Sequence, residues 1–162
     1  MKIGLGFDAH ELIENKPLKL GGVLIDFPFG LCGHSDGDVI LHAVGDAILG
    51  ACAAGDIGMY FRDDDKKFEG IDSRQILAFT LETSYKKKLE IINMDIVIIA
   101  DQPKLNVLYE KIRKSISTIC NLQLEQVSIK SKTTEGTLVS RNAMACFAVV
   151  LMSDIVHAGK NP

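Results

Sequence analysis

The sequence predicts an α/β (α+β) fold in which a single mixed β-sheet carries helices on one face. Three observations predict it. Runs with strand and helix periodicity follow one another as strand, hairpin, helix, helix, strand, helix, strand, strand over 162 residues. Hydrophobic residues make up 47% and charged residues 24%, a globular balance far from the signature of disorder. The last run, AMACFAVVLM (143–152), is apolar on both sides, so the sheet face away from the helices needs cover, which self-association supplies.

Taken in order, Ile3, Leu5 and Phe7 alternate with Gly4, Gly6 and Asp8, the period of a strand with one apolar face. Leu18 to Ile25, interrupted by Gly21-Gly22, reads as a hairpin. Over 36–53, Val39, Ala43, Ala47 and Ala51 recur at four-residue steps, flanked by Ile40, Leu41, Val44 and Ile48. That spacing predicts a mostly buried helix, ended by Gly55 and capped by Ser35 with Asp38 in its first turn.

Two more helices are predicted over 73–88, capped by Asp72 or Ser73, and over 106–120, capped by Asn106. Lys86, Lys87 and Lys88 suit the C-terminus of the first. The β-branched runs at 91–100 (IINMDIVIIA), 127–132 (VSIKSK) and 143–152 have the length of strands. One long polar stretch, FRDDDKKFEGID (61–72), separates regular elements and is the natural mobile loop of an active site.

Composition also excludes function classes. The net charge is −3 and basic residues are dispersed, so there is no nucleic-acid footprint. No apolar run reaches 18 residues and no signal peptide is visible, which excludes a membrane span. Cys32, Cys52, Cys120 and Cys146 form no CxxC pair, so reduced thiols in a cytoplasmic protein are expected.

Chemistry concentrates in two segments. On an extended strand residues i and i+2 face the same way, so Asp8 and His10 of GFDAH project together. His42 lies in the predicted buried helix with Asp38 and Asp46 four residues to either side. It is either a core histidine satisfied by one of these carboxylates or the third ligand of a metal site. Two imidazoles and one carboxylate are a set zinc accepts, leaving a fourth position for substrate or water, with Asp38 or Asp46 orienting His42.

His34 beside a helix N-terminus makes a candidate phosphate corner. SIKSKTTEG (128–136) gathers Lys130, Lys132, Thr133, Thr134 and Glu135, either a solvated strand end or phosphate contacts plus one carboxylate for a hard cation. Asp56, Gly58, Asp63, Asp64 and Asp65 form an acidic loop suited to hydroxyls or cations, or to solvent alone.

GFDAH, HSDGDVILHAVGDAILGA, GDIG, DSR, IIADQPKL and KSKTTE, in this order along nearly the whole chain, resemble the 2-C-methyl-D-erythritol 2,4-cyclodiphosphate synthases of the non-mevalonate isoprenoid pathway. The resemblance implies one synthase domain over 1–162 and a homotrimer, its sheets packed about the trimer axis in a chorismate-mutase-like or ferredoxin-like arrangement. Active sites would lie between subunits. It implies zinc on Asp8, His10 and His42 and a second divalent ion, Mg²⁺ or Mn²⁺, on Glu135. The reaction implied is attack of the 2-phosphate of a cytidine diphosphate substrate on the β-phosphorus, giving a cyclic diphosphate and CMP: a phosphorus-oxygen lyase.

By the same resemblance, His34 and Thr133 stabilise the transferring phosphoryl group. Ser35, Asp56, Gly58 and the loop of Phe61, Arg62, Asp63, Asp64 and Asp65 hold the methylerythritol part, and Asp8, Ala9, His10, Ile57, Glu135 and Arg141 are further substrate contacts. Residues 100–106, Ala100, Lys104, Leu105 and Asn106 among them, form the cytidine diphosphate pocket of the neighbouring subunit together with Lys132, Thr133 and Thr134. After Glu135 the family has a glycine-rich stretch, whereas this chain reads GTLVSRNAMA, with Arg141 in place of the family's arginine and any ligand on the trimer axis put in question.

Two other readings share these residues. A zinc hydrolase would use the same triad to acidify water with Asp56 or Asp65 as base, and a trimeric binding module would keep the fold without turnover.

Overall fold

The computed structural model describes residues 1–137 and 139–155. A 13-residue strand, β1 (Lys2–Glu14), lies next to the longest partner in the sheet, β7 (Ala143–Asp154). The two pair antiparallel from Lys2 opposite Met152 to Glu11 opposite Ala143. Across β7 lies β5 (Leu89–Ile99), antiparallel to it and parallel to β6 (Val127–Lys132), while the short β4 (Phe29–Leu31) closes the other edge. The order β4-β1-β7-β5-β6 is the single mixed sheet that the sequence predicts.

A separate hairpin joins β2 (Leu18–Leu20) to β3 (Val23–Ile25). Its two turn residues, Gly21 and Gly22, have φ of 59° and 76°, a left-handed pair that glycine adopts without a Cβ penalty.

The pleat of β1 sorts its residues into two faces. Gly4 and Gly6 are buried against α1 (Val39–Ala51) in backbone contact: a Cβ on Gly4 would stand 1.8 Å from the Ala47 carbonyl oxygen. Ile3, Leu5 and Phe7 face the other way and are 69%, 65% and 49% exposed. The apolar face predicted for this strand therefore points away from the helices, because only glycine lets α1 approach so closely. On β7, Met144, Cys146, Ala148, Val150 and Met152 are buried on the helix side, while Phe147 and Val149 join the open face. Phe147 packs its ring 4.7 Å from that of Phe7.

Helix α1 is buried nearly all round, as its apolar composition requires. Its cap is Asp38, a correction to the expected Ser35. The Asp38 carboxylate accepts from the N–H groups of Ile40 and Leu41 and also from those of Gly21 (2.9 Å) and Gly22 (2.6 Å), tying the hairpin to the helix start. The helix ends at Ala51 with Ala53 in the left-handed region at φ 50°, before Gly55 is reached.

Helix α2 (Ser73–Lys86) is capped by Asp72 as expected. Asn106, in contrast, lies inside a 3₁₀ turn (Leu105–Leu108) that leads into α3 (Tyr109–Ile119), so it is not the cap. The polar 61–72 stretch contains a short 3₁₀ turn at Lys66–Phe68 capped by Asp65. Among the described residues no helix is long and apolar enough to cross a membrane.

Candidate metal centre and its cavity

Asp8 and His10 share the inward face of β1 with Gly4 and Gly6. They stand within the strand, not at its end as the sequence suggested, since β1 continues to Glu14. The glycines hold α1 against the strand, and His42 in the first turn of that helix then meets both side chains. Asp8 Oδ2 lies 2.8 Å from His42 Nδ1 and 2.8 Å from His10 Nε2, and the two ring nitrogens are 3.4 Å apart. All three ligand atoms fall within 4.8 Å of one another.

These donors fit a metal. Tetrahedral bonds of about 2.05 Å place two imidazole nitrogens about 3.3 Å apart, the spacing found here. The two nitrogens and the carboxylate oxygen meet here through ring hydrogens, whose place a cation can take. Burial would push the Asp8 carboxyl up, but hydrogen bonds from His10 and His42 outweigh it and hold the group far below the usual carboxylate range. Burial opposes charge on His42, and the Asp8 carboxylate reverses the balance, so its imidazole is shifted up.

On its other side His42 Nε2 lies 3.0 Å from Ser35 Oγ and 2.9 Å from Ser73 Oγ. Neither Asp38 nor Asp46 plays the orienting part that helical spacing suggested. Asp38 is consumed by capping, and Asp46 accepts the Ile57 N–H at 2.8 Å. Burial pushes the Asp46 carboxyl up despite that bond.

The triad opens into a cavity of about 360 Å³. His34, Ser35, Ile57, Gly58, Phe61 and Asp63 line it as the sequence led us to expect, joined by Gly33, Asp46, Phe68, Ile71 and Ile76. The last three were missed because an apolar residue at a cavity wall has no sequence mark that separates it from core.

Five other expected residues, Ala9, Asp56, Arg62, Asp64 and Asp65, do not line this cavity. Asp56 caps the Ile57–Met59 turn through the Met59 N–H (3.0 Å). Arg62 pairs with Asp64 at 2.6 Å, and Asp65 pairs with Lys67 at 2.9 Å. Ala9 donates its N–H to Asp8 Oδ1 at 2.9 Å, with its side chain on the opposite face of β1.

A second cavity of about 270 Å³ gathers Ala100, Lys104, Leu105, Asn106, Lys132 and Thr133 with Asp101, Pro103 and Ser131. It shares no lining residue with the first. Asp101, within the 100–106 segment expected at this pocket, accepts the N–H and hydroxyl of buried Thr134 at 2.8 and 2.9 Å. Thr133 also borders a hollow shared with Asp101, Glu135 and Arg141, and its hydroxyl donates to Glu135. Within one chain, then, Glu135 and the metal triad are not brought together.

A mixed sheet holding an Asp-His-His metal triad beneath a cavity defines a metal-binding α/β domain, and the chain belongs to the YgbB family, which matches residues 1–153. The resemblance drawn from the motifs is thereby upheld in the names of the relatives. The 2-C-methyl-D-erythritol 2,4-cyclodiphosphate synthase of Clostridium botulinum (strain Eklund 17B / Type B) is 48% identical over 136 residues, covering 84% of this chain and 87% of the relative. The bifunctional enzyme IspD/IspF of Pelagibacter ubique (strain HTCC1062) is 48% identical over 158 residues, covering 95% of this chain but 43% of that protein, so this chain spans less than half of it. Among solved structures, a 2C-methyl-D-erythritol-2,4-cyclodiphosphate synthase in a CDP-bound form superposes with a TM-score of 0.87 at 35% identity, covering 94% of this chain and 100% of the other. The CDP complex of Plasmodium falciparum IspF has a TM-score of 0.81 at 38% identity, covering 94% and 96%.

Proposed function

We propose that this chain, a single domain over 1–162, is a cytoplasmic 2-C-methyl-D-erythritol 2,4-cyclodiphosphate synthase. It converts 4-CDP-2-C-methyl-D-erythritol 2-phosphate into the cyclic diphosphate and CMP, and so acts as a phosphorus-oxygen lyase. The observation that carries this reading is the convergence of Asp8, His10 and His42 at the floor of a cavity walled by His34, Ser35, Gly58 and Phe61.

Zinc on the triad and Mg²⁺ or Mn²⁺ on Glu135 would offset the repulsion of two anionic phosphates. The chain's own residues supply position. Ser35, Asp56, Ile57, Gly58, Phe61 and Asp63 hold the methylerythritol part so that an oxygen of the 2-phosphate lies in line with the β-phosphorus. As the new P–O bond forms, the bond from the β-phosphorus to the CMP oxygen breaks and CMP leaves with its electron pair. His34 and Thr133 stabilise the charge on the transferring group. Lys104, Leu105, Asn106 and Lys132, with Ala100 and Thr134, hold the cytidine diphosphate, and Arg141 lies at its edge.

The two cavities of one chain work together only if a neighbour supplies the second. The open apolar face of Ile3, Leu5, Phe7, Phe147 and Val149 supports this, because three copies packed about an axis would bury it.

Phosphorus NMR of the purified protein with zinc, Mg²⁺ and the substrate tests the reading. Metal-dependent CMP rising in step with a cyclic diphosphate is expected. A linear hydrolysis product would favour a zinc hydrolase, and no turnover by a zinc-loaded trimer would favour a binding module.

A further inference from the structure

His42 of α1 is approached on its outer nitrogen by a relay that runs from α2 through the loop before α1 to β2. Ser73, fully buried at the first position of α2, places its Oγ 2.9 Å from His42 Nε2. The same hydroxyl donates to Asp36 Oδ1. Asp36 Oδ2 in turn accepts from the Lys19 ammonium of β2 at 2.8 Å, and Lys19 also reaches Asp72 at 3.3 Å.

A serine hydroxyl has one hydrogen. Asp36, ionised beside Lys19, has none to give, so the Ser73 hydrogen goes to Asp36. At His42 Ser73 can therefore only accept, and Nε2 must carry the ring hydrogen. Ser35 Oγ, 3.0 Å away and itself accepting the Gly37 N–H at 3.1 Å, is a second acceptor for it. With a hydrogen kept on Nε2, the nitrogen that can give up its own hydrogen and offer a lone pair to a metal is Nδ1, which faces His10 and without metal donates to Asp8.

We infer that Asp36, acting through Ser73, is a positioning residue that fixes His42 in the Nε2–H tautomer and so presents its Nδ1 lone pair to the metal. This rests on the reading of the triad as a metal site. Its logic is polarity: a carboxylate at one end of the relay determines which nitrogen is free at the other.

Asp36→Asn reverses that polarity. The amide oxygen turns to the Lys19 ammonium, leaving the NH₂ to donate to Ser73. The Ser73 hydrogen then points at His42 Nε2, and the ring hydrogen moves to Nδ1, where it competes with the metal.

Chelator competition with zinc alone, on the full chain, should show Asp36→Asn binding about 10- to 100-fold more weakly than the unaltered protein. Ser73→Ala, which leaves Ser35 as acceptor, should lose less, about 3- to 10-fold. In the zinc-loaded unaltered protein, ¹⁵N-histidine NMR should place the His42 hydrogen on Nε2. A merely structural role would lower the unfolding temperature of the metal-free variants and leave zinc affinity alone.

Zinc affinity of Asp36→Asn within twofold of the unaltered protein overturns the inference. If that variant does not fold, unchanged affinity in Ser73→Ala does so, and hydrogen found on Nδ1 in the zinc-loaded unaltered protein overturns it without any variant. Failure of the unaltered protein to bind zinc would instead remove the metal reading on which the inference stands.

Discussion

Gly6 of β1 and Ala43 of α1 are in backbone contact, so that a methyl group on Gly6 would sit 1.9 Å from the Ala43 carbonyl oxygen. Backbone cannot yield as a side-chain tip can. Gly6→Ala should therefore destabilise the fold by about 3 kcal/mol or more, read as a lower midpoint in urea. Because α1 carries His42, the same variant should also bind zinc more weakly.

His42→Ala removes one of three ligands but only a partly polar contact from the core. Zinc content should fall to background and CMP formation by a factor on the order of 10² to 10³, while sedimentation reports the same assembly as for the unaltered protein. Full activity in a zinc-free variant would refute the metal role.

Glu135 sits in the left-handed region at φ 51°, hydrogen-bonded by Thr133 and apart from the triad. Glu135→Gln should raise the Mg²⁺ or Mn²⁺ concentration needed for half-maximal rate about tenfold and leave bound zinc at the unaltered level. An unchanged divalent-ion titration would remove Glu135 from the second site.

Asp36 gives a pH signature. Burial would raise its carboxyl, but Lys19 and the Ser73 hydroxyl outweigh that and hold it below the ordinary value of about 3.9. Its contribution to stability is thus fully present above the unfolded value and is lost as pH falls through the lowered folded one. Urea midpoints between pH 5 and pH 2 (about the carboxylate range) should fall less steeply for Asp36→Asn than for the unaltered protein.

Cys32 is exposed, whereas Cys52, Cys120 and Cys146 are buried. Burial pushes the Cys120 thiol up to about 12 and that of Cys146 well above its ordinary value, so neither supplies thiolate near neutrality. A colorimetric thiol reagent at pH 7 should titrate one thiol per chain rapidly in native buffer and four in denaturant.

How much of this was legible depends on how local the cause is. The period of two in β1 placed Asp8 and His10 on one side, and the apolar spacing of 36–53 placed His42 in a buried helix. Which side of β1 faces inward was not legible from alternation alone, since the bulky residues face out and glycines face in. Asp38 rather than Ser35 caps α1 because the N–H groups of Gly21 and Gly22, brought in by the hairpin, need the same carboxylate. Ser73 was visible only as a candidate cap, because its approach to His42 exists only once α2 has packed against α1.

The pleat of β1 also makes its length a matter of parity. Inserting one residue between Phe7 and Asp8 would put the segments before and after it out of step, so that either the two metal ligands turn outward or Ile3, Leu5 and Phe7 turn into a space that only glycine fits. Ion capture and the outward apolar surface could then no longer be held together. Natural length variation in this strand should therefore be confined to steps of two, or to the stretch beyond His10 where neither property is encoded.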